Sequence, residues 1–135
     1  MLDRPHTGTL FRMLGFFRLT AWTPLPHSGA ALNSLGLPSK GVDAAVDTIR
    51  AFRERHGIAV GDRQAAFPIG VSVMGHPATA DAAKKLQGVL DCVRKSIPVA
   101  DFIEINESCP NVAHGSSTAD LEKRLRAIIA VRDDM

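Results

Sequence analysis

The apolar positions of this chain fall into blocks of two different periods. Between about 42 and 56, Val42, Ala45, Val46, Ile49 and Phe52 recur at spacings of three and four, which places them in one stripe of a helix. Asp43 and Asp47 stand early in that block and Arg50, Arg53 and Arg55 late, an order that suits the helix dipole, and Gly57 ends it. Residues 67–74 (FPIGVSVM) are almost all apolar, the pattern of a parallel strand buried on both faces, and Gly75, His76 and Pro77 then turn the chain. The spacing predicts a second helix over about 79–95, with Ala83, Leu86, Val89, Leu90 and Val93 inward. A second strand follows at 100–106 (ADFIEIN), then a polar loop at 107–117. A third helix is predicted over about 118–132, with Leu121, Leu125, Ile128 and Ile129 on one face and Ser117 and Asp120 in a capping arrangement.

Residues 1–40 carry no such period. Pro5, Gly8, Gly15, Pro24, Pro26, Gly29, Gly36 and Pro38 punctuate them, around a short apolar patch between Leu10 and Leu19 that suits either a helix or a strand. The order loop, helix, strand, helix, strand, loop, helix predicts the α/β class, with parallel strands joined by right-handed crossovers. It reads as one domain: an irregular segment over 1–40, then βα units over 41–135.

Composition narrows the classes. The chain has 135 residues, 45% hydrophobic and 22% charged, with a net charge of +2, as in an ordinary globular domain. No apolar run approaches the roughly 18 residues that a membrane-spanning helix needs. Two cysteines cannot make a multi-disulfide scaffold, and no CxxC or histidine spacing points to a metal. Nucleic acid is not an expected partner, because the net charge is small and there is no tyrosine for a stacking platform. The length also falls short of the about 200 residues or more of a complete (β/α)8 barrel. Residues 1–42 hold one acid, Asp3, against Arg4, Arg12, Arg18 and Lys40. That imbalance fits a mitochondrial-type transit segment, a phosphate-facing segment or a solvated edge, although the prolines and glycines break any long amphipathic helix. The compartment stays open between cytoplasm and mitochondrion.

In parallel α/β architectures ligands bind beyond the carboxyl ends of the strands. The segment beyond the second strand is Asn106-Glu107-Ser108-Cys109-Pro110-Asn111. Asn106 and Asn111 each offer a donor and an acceptor to a planar ligand, and Cys109 is a candidate base or nucleophile once its proton is lost. An ordinary turn accounts for the same residue types. A second polar element, Asn33-Ser34-Leu35-Gly36-Leu37-Pro38, precedes the first helix, and Gly36 there allows close backbone approach to an anion; a plain turn into the helix is the alternative. Cys92, beside Leu90 and Val93, reads as a small buried hydrophobe, and His76 and His114 as turn and loop histidines. Phe16-Phe17 is a candidate buried partner surface.

The two polar elements together, ALNSLGLPSKGVD and then ADFIEINESCPNV, resemble the dihydroorotate dehydrogenases. The matching features are Asn33-Ser34-x-Gly36-Leu37-Pro38, Gly41 opening a helix, the strand Pro68-Ile69-Gly70-Val71-Ser72-Val73, and Asn106-x-Ser108-Cys109-Pro110-Asn111. The likeness covers about residues 31–132, with a faint echo in Thr9–Met13. It implies a partial (β/α)8 TIM barrel, FMN as cofactor, and oxidation of dihydroorotate to orotate in pyrimidine synthesis. By that resemblance Cys109 is the loop base that takes a proton from C5 of dihydroorotate. Asn33, Asn106 and Asn111 bind the pyrimidine ring and its carboxylate, and the backbone at Leu35, Gly36 and Leu37 cradles that carboxylate. Asn106 also contacts the flavin, and Ser72 is a further candidate for that contact. A cysteine at position 109 resembles the soluble class; the membrane-associated class usually has serine. Dihydropyrimidine dehydrogenase has a related domain with a similar Asn-x-Ser-Cys-Pro element, which makes it a third, weaker likeness.

The chain also departs from the family. The family's first barrel strand, and the lysine near the flavin beyond it, are expected before residue 1 or within the N-terminal segment; Lys40 lies after the substrate loop, so it is no replacement. The later strands, with a second flavin-contacting lysine and the Gly-rich loops that hold the FMN phosphate, have no counterpart in it. Glu107 stands where a small or apolar residue is normal, and its charge would raise the pKa of Cys109. A part-barrel leaves open sheet edges, so the expectation is a fragment, a chain completed by another protein chain, or a catalytically inactive barrel-derived subunit of a larger assembly.

Overall fold

The computed structural model describes residues 1–5, 22–33, 37–62, 68–107 and 118–135. Within these residues seven elements follow in order: β1 (Trp22–Leu25), β2 (Ala30–Asn33), α1 (Val42–His56), β3 (Gly70–Val73), α2 (Ala82–Ser96), β4 (Phe102–Ile105) and α3 (Thr118–Asp133). The α/β class and the alternation beyond residue 41 are as the periodicity predicts. β3 and β4 pair in parallel, Gly70 with Phe102, Val71 with Ile103, Ser72 with Glu104 and Val73 with Ile105.

The pleat divides these residues between two faces. Val71 and Val73 point into the core, where they meet Val42 and Val46 of α1, Val89, Cys92 and Val93 of α2, and Val131 of α3; Ile103 and Ile105 pack against the same cluster. All three helices among the described residues thus contribute to one core on one side of the parallel pair. Val73 is fully buried, and Val73→Ala would cost roughly 2 kcal/mol in lost transfer energy and cavity. Gly70, Phe102 and Glu104, on the opposite face, are exposed, and Ser72 is half-buried. The two-sided burial expected for the β3 run is therefore corrected to one-sided burial.

Local chemistry explains the helix limits. Gly57 takes φ 63 at the end of α1, and its N–H and that of Ile58 bond back to the carbonyls of Glu54 and Arg53. Asp81 caps α2 by accepting from the Lys84 N–H at 2.9 Å. Gly41 must be glycine on two counts: φ is 90, and a Cβ would come within 3.2 Å of the Arg4–Pro5 backbone.

Three expectations are corrected. Residues 22–33 are not irregular but form an antiparallel hairpin, with Trp22 paired to Asn33 and Leu25 to Ala30. Its loop closes through the Ser28 N–H to Leu25 O bond at 3.1 Å, with Pro26 and His27 between them and Gly29 at φ 66. Ala83 faces solvent, whereas Gly88, Cys92 and Ser96 join Val89 and Val93 on the buried side of α2. In α3 only Val131 is buried; Leu125 and Ile129 of the predicted stripe are 38% and 47% exposed.

That exposed stripe borders a cavity of about 390 Å3 beside β4, lined by Val93, Ile97, Phe102, Ile103, Leu125 and Ile129 among others. The other edge of β3 is occupied. The Met1 ammonium donates to Ser72 O, and the Met74 N–H donates to Met1 O at 3.0 Å, the pairing of a parallel ladder around Val73. Leu2 is fully buried, and Arg4 Nη2 donates to Thr79 Oγ1 at 2.8 Å.

Candidate functional site

The carboxyl ends of β3 and β4 bring together Ser72, Glu104, Asn106 and Glu107. Alternation places Ser72 and its cross-strand partner Glu104 on the face away from the core, and Asn106 continues that side two residues on. The Asn106 N–H donates to Val73 O at 2.8 Å, so the ladder runs one bond past β4 and fixes the Asn106 backbone. Ser72 and Asn106, both predicted site residues, are each half-buried on that side.

Glu104 is a residue that the sequence reading passed over. Its carboxylate is exposed on the face that carries Ser72, and it makes the Met1 ammonium easier to keep protonated, against the stronger effect of burial, which lowers that pKa. The signal was present in the alternation of positions 102, 104 and 106.

Glu107 begins the loop. Arg124 Nε and Nη2, in the second turn of α3, donate to Glu107 Oε1 and Oε2 at 3.2 and 2.8 Å. A two-point guanidinium–carboxylate contact neutralises the charge and orients both planes. The Glu107 carboxylate, unusual at this position of the motif, is thus paired.

The remaining predicted site residues distribute as follows. Asn33 ends β2, paired through its backbone to Trp22. Leu37 is half-buried at φ 61, a left-handed conformation that costs a bulky residue free energy. Ser39 Oγ accepts from the Gly41 N–H at 3.1 Å and leads the chain into α1. Leu35, Gly36, Cys109 and Asn111 lie outside the described residues, as do His114, Ser117, Thr9–Met13 and Phe16-Phe17.

His76 is buried in the turn after β3, and its Nδ1 accepts from the Ala78 N–H at 3.2 Å, which leaves the ring proton on Nε2. Cys92 is buried, and desolvation pushes its thiol up to about 12. Both match the structural roles expected of them. Among the described residues no three His, Cys, Asp or Glu side chains converge as metal ligands, and no helix is long and apolar enough to cross a membrane.

Comparison with known proteins identifies the family. The family model described as "Dihydroorotate dehydrogenase" matches residues 23–133. A protein of Akkermansia muciniphila described as "Dihydroorotate dehydrogenase (quinone)" is 32% identical over 72% of this chain and 28% of its own length. Relatives of the same description from Stenotrophomonas maltophilia and Xylella fastidiosa are each 27% identical, over 93% and 92% of this chain and 36% of their own lengths. The chain thus spans about a third of the length of the curated relatives it matches.

Proposed function

The chain belongs to the dihydroorotate dehydrogenase family, and we propose that it is a dihydroorotate dehydrogenase-like, FMN-dependent oxidoreductase fragment acting in the oxidation of dihydroorotate to orotate for pyrimidine synthesis. The observation that carries this reading is the placement of Ser72 and Asn106 on the face of a parallel pair that points away from the core, toward the carboxyl ends of its strands. Among the described residues the helices pack on one side of the pair and polar groups lie on the other, which fits a segment of a (β/α)8 wall better than a doubly wound sheet, which carries helices on both faces.

In this reading Asn33, Asn106 and Asn111 orient the pyrimidine ring by hydrogen bonds, and the backbone of Leu35, Gly36 and Leu37 receives its carboxylate. Cys109, as thiolate, takes the proton from C5 of dihydroorotate. FMN, when bound, supplies the hydride acceptor. Ser72 and Asn106 fit the polar rim of a flavin ring. Glu104, an exposed carboxylate on the same face, does not fit the cofactor's phosphate, whose cradle has to come from outside the described residues.

The open groove along β4 and α3 supports a partner: another protein element that completes or covers the barrel wall. A second reading, a catalytically inactive barrel-derived structural subunit, is favoured by Glu104, an exposed carboxylate in register with Ser72 that would repel a flavin phosphate brought near it. Flavin content separates the two. The protein purified with its co-purifying partners holds stoichiometric FMN under the first reading and none under the second. The description of the relatives names a quinone, whereas Cys109 resembles the soluble class; comparing quinone with soluble acceptors in the same assay decides the electron acceptor.

A further inference from the structure

The first five residues tie together three separate parts of the fold. Met1 is hydrogen-bonded to β3 on both sides of Val73, through Ser72 O and the Met74 N–H, and its side chain packs against the core cluster. Leu2 is fully buried. Asp3 lies against α2 at Gly88, where a Cβ would stand 2.9 Å from its Oδ2 and 3.0 Å from its Cγ. Arg4 Nη2 donates to Thr79 Oγ1 in the connection after β3. The Arg4–Pro5 backbone covers Gly41, where a Cβ would meet Arg4 C and Pro5 N at 3.2 Å. Two glycines, one opening α1 and one in the middle of α2, thus leave the room that this segment occupies.

Gly41 closes the stretch that carries the chain from the predicted substrate element at 33–38 into α1. Within that stretch Leu37 holds φ 61, a conformation that persists only where the surrounding structure fixes it. At its other end the same segment is bonded to the carbonyl of Ser72. Residues 1–5 therefore span from the carboxyl end of β3 to the exit of the 33–38 element.

We propose that residues 1–5 are a latch that positions the exit of the 33–38 element against the carboxyl end of β3, with Gly88 as its seat on α2. This rests on the reading of 33–38 as the substrate element. The latch touches neither substrate nor flavin; it acts through the backbone at 37–41.

The test disturbs the latch from its far side. Gly88→Ala adds a methyl whose three nearest neighbours outside the helix are atoms of Asp3, and alanine favours a helix more than glycine does, so α2 is not weakened. Amide hydrogen exchange of the full chain is read by mass spectrometry on the peptide over 37–42. It should speed up by roughly threefold to tenfold in Gly88→Ala, although Gly88 lies far from that peptide in sequence. Asp3→Ala/Gly88→Ala should return toward the parent, because Asp3 Cβ is 3.4 Å from the added methyl, an ordinary contact. Leu2→Ala loosens the same segment with both helices unaltered and should give the same rise. No rise over 37–42 in either variant, or a double variant as fast as Gly88→Ala, overturns the proposal. Buried Cys92 reports the fold, since it is alkylated only when the core opens. Should Gly88→Ala label there, Leu2→Ala decides alone.

Orotate binding by equilibrium dialysis, on the protein with its co-purifying partners, separates this proposal from the reading it rests on. A parent that binds orotate should lose roughly threefold to tenfold in affinity in Gly88→Ala and regain it in the double variant. Unchanged affinity overturns the positioning role. A parent that binds no orotate sinks the substrate-element reading instead, and the exchange comparison still decides whether residues 1–5 hold the 37–41 backbone.

Discussion

Arg53 Nη2 and Asp101 Oδ2 lie 2.6 Å apart across the amino-terminal ends of β3 and β4, the opposite end from Ser72 and Asn106. Arg53 is buried and spends its other donors on main-chain carbonyls, Nε to Val99 O at 2.7 Å and Nη1 to Ala59 O at 2.9 Å. Asp101 accepts from the N–H groups of Ile69 and Gly61, each at 2.6 Å. One arginine thus fastens α1, the connection after it and the start of β4 together. Arg53→Met removes these donors and leaves sheltered acceptors unpaired, which should destabilise the fold by on the order of 3 kcal/mol. Urea unfolding of the two proteins measures it; a change under about 1 kcal/mol would contradict the assignment.

The same cluster predicts an acid dependence. The Ile69 and Gly61 N–H groups and then the Arg53 guanidinium hold the Asp101 carboxyl down to about 2. A carboxyl whose folded pKa is depressed stabilises the fold fully above its unfolded pKa, about 4, and loses that contribution as pH falls through the folded value. Stability should therefore drop between about pH 4 and pH 2. Asp101→Asn should be less stable than the parent at neutral pH and flatter across that interval. Equal acid slopes in the two proteins, by circular dichroism, would show that Asp101 is not a source of the dependence.

Cys92 should be chemically silent in the folded chain. Burial raises its thiol to about 12, and Val89 and Val93 pack in the same cluster. Under native conditions the Cys92 peptide should stay unlabelled by a thiol reagent at neutral pH, and label fully in denaturant. Rapid native labelling at Cys92 would contradict the core described for α2.

Leu125 and Ile129 are predicted to be contact residues rather than fold residues, since both are exposed beside the β4 groove. Leu125→Glu/Ile129→Glu should leave the thermal midpoint within a few degrees of the parent, because nothing in the core is disturbed. It should abolish association with whatever covers the groove. Native mass spectrometry reads both states. A parent chain that is strictly monomeric at working concentration, with no co-purifying protein, would count against a partner.

Legibility of the sequence followed the range of the interactions. α1, α2 and α3 were visible because a stripe repeats within one helix, and β3 and β4 because short apolar runs stand between turn residues. The hairpin at 22–33 was hidden because its four-residue strands carry no period, and Pro24, Pro26 and Gly29 read as breakers. A Gly-containing loop of four residues between two short runs was the available signal. The burial of Arg53 was not legible, since its reason, Asp101, lies 48 residues on. On the site, the alternation around Asn106 showed which strand carries it, but not that Arg124 neutralises Glu107. The exposure of the α3 stripe depends on what packs beside it, which a period alone does not specify.

The most direct measurement of the central claim is dye-coupled dihydroorotate oxidation by the purified protein together with any partner that accompanies it, in the presence of FMN. The account predicts orotate formation that requires FMN and falls by about 10²-fold or more in Cys109→Ala, the usual share of a general base. Orotate formation unaffected in Cys109→Ala, or no flavin bound and no orotate formed by the assembled protein, would contradict it.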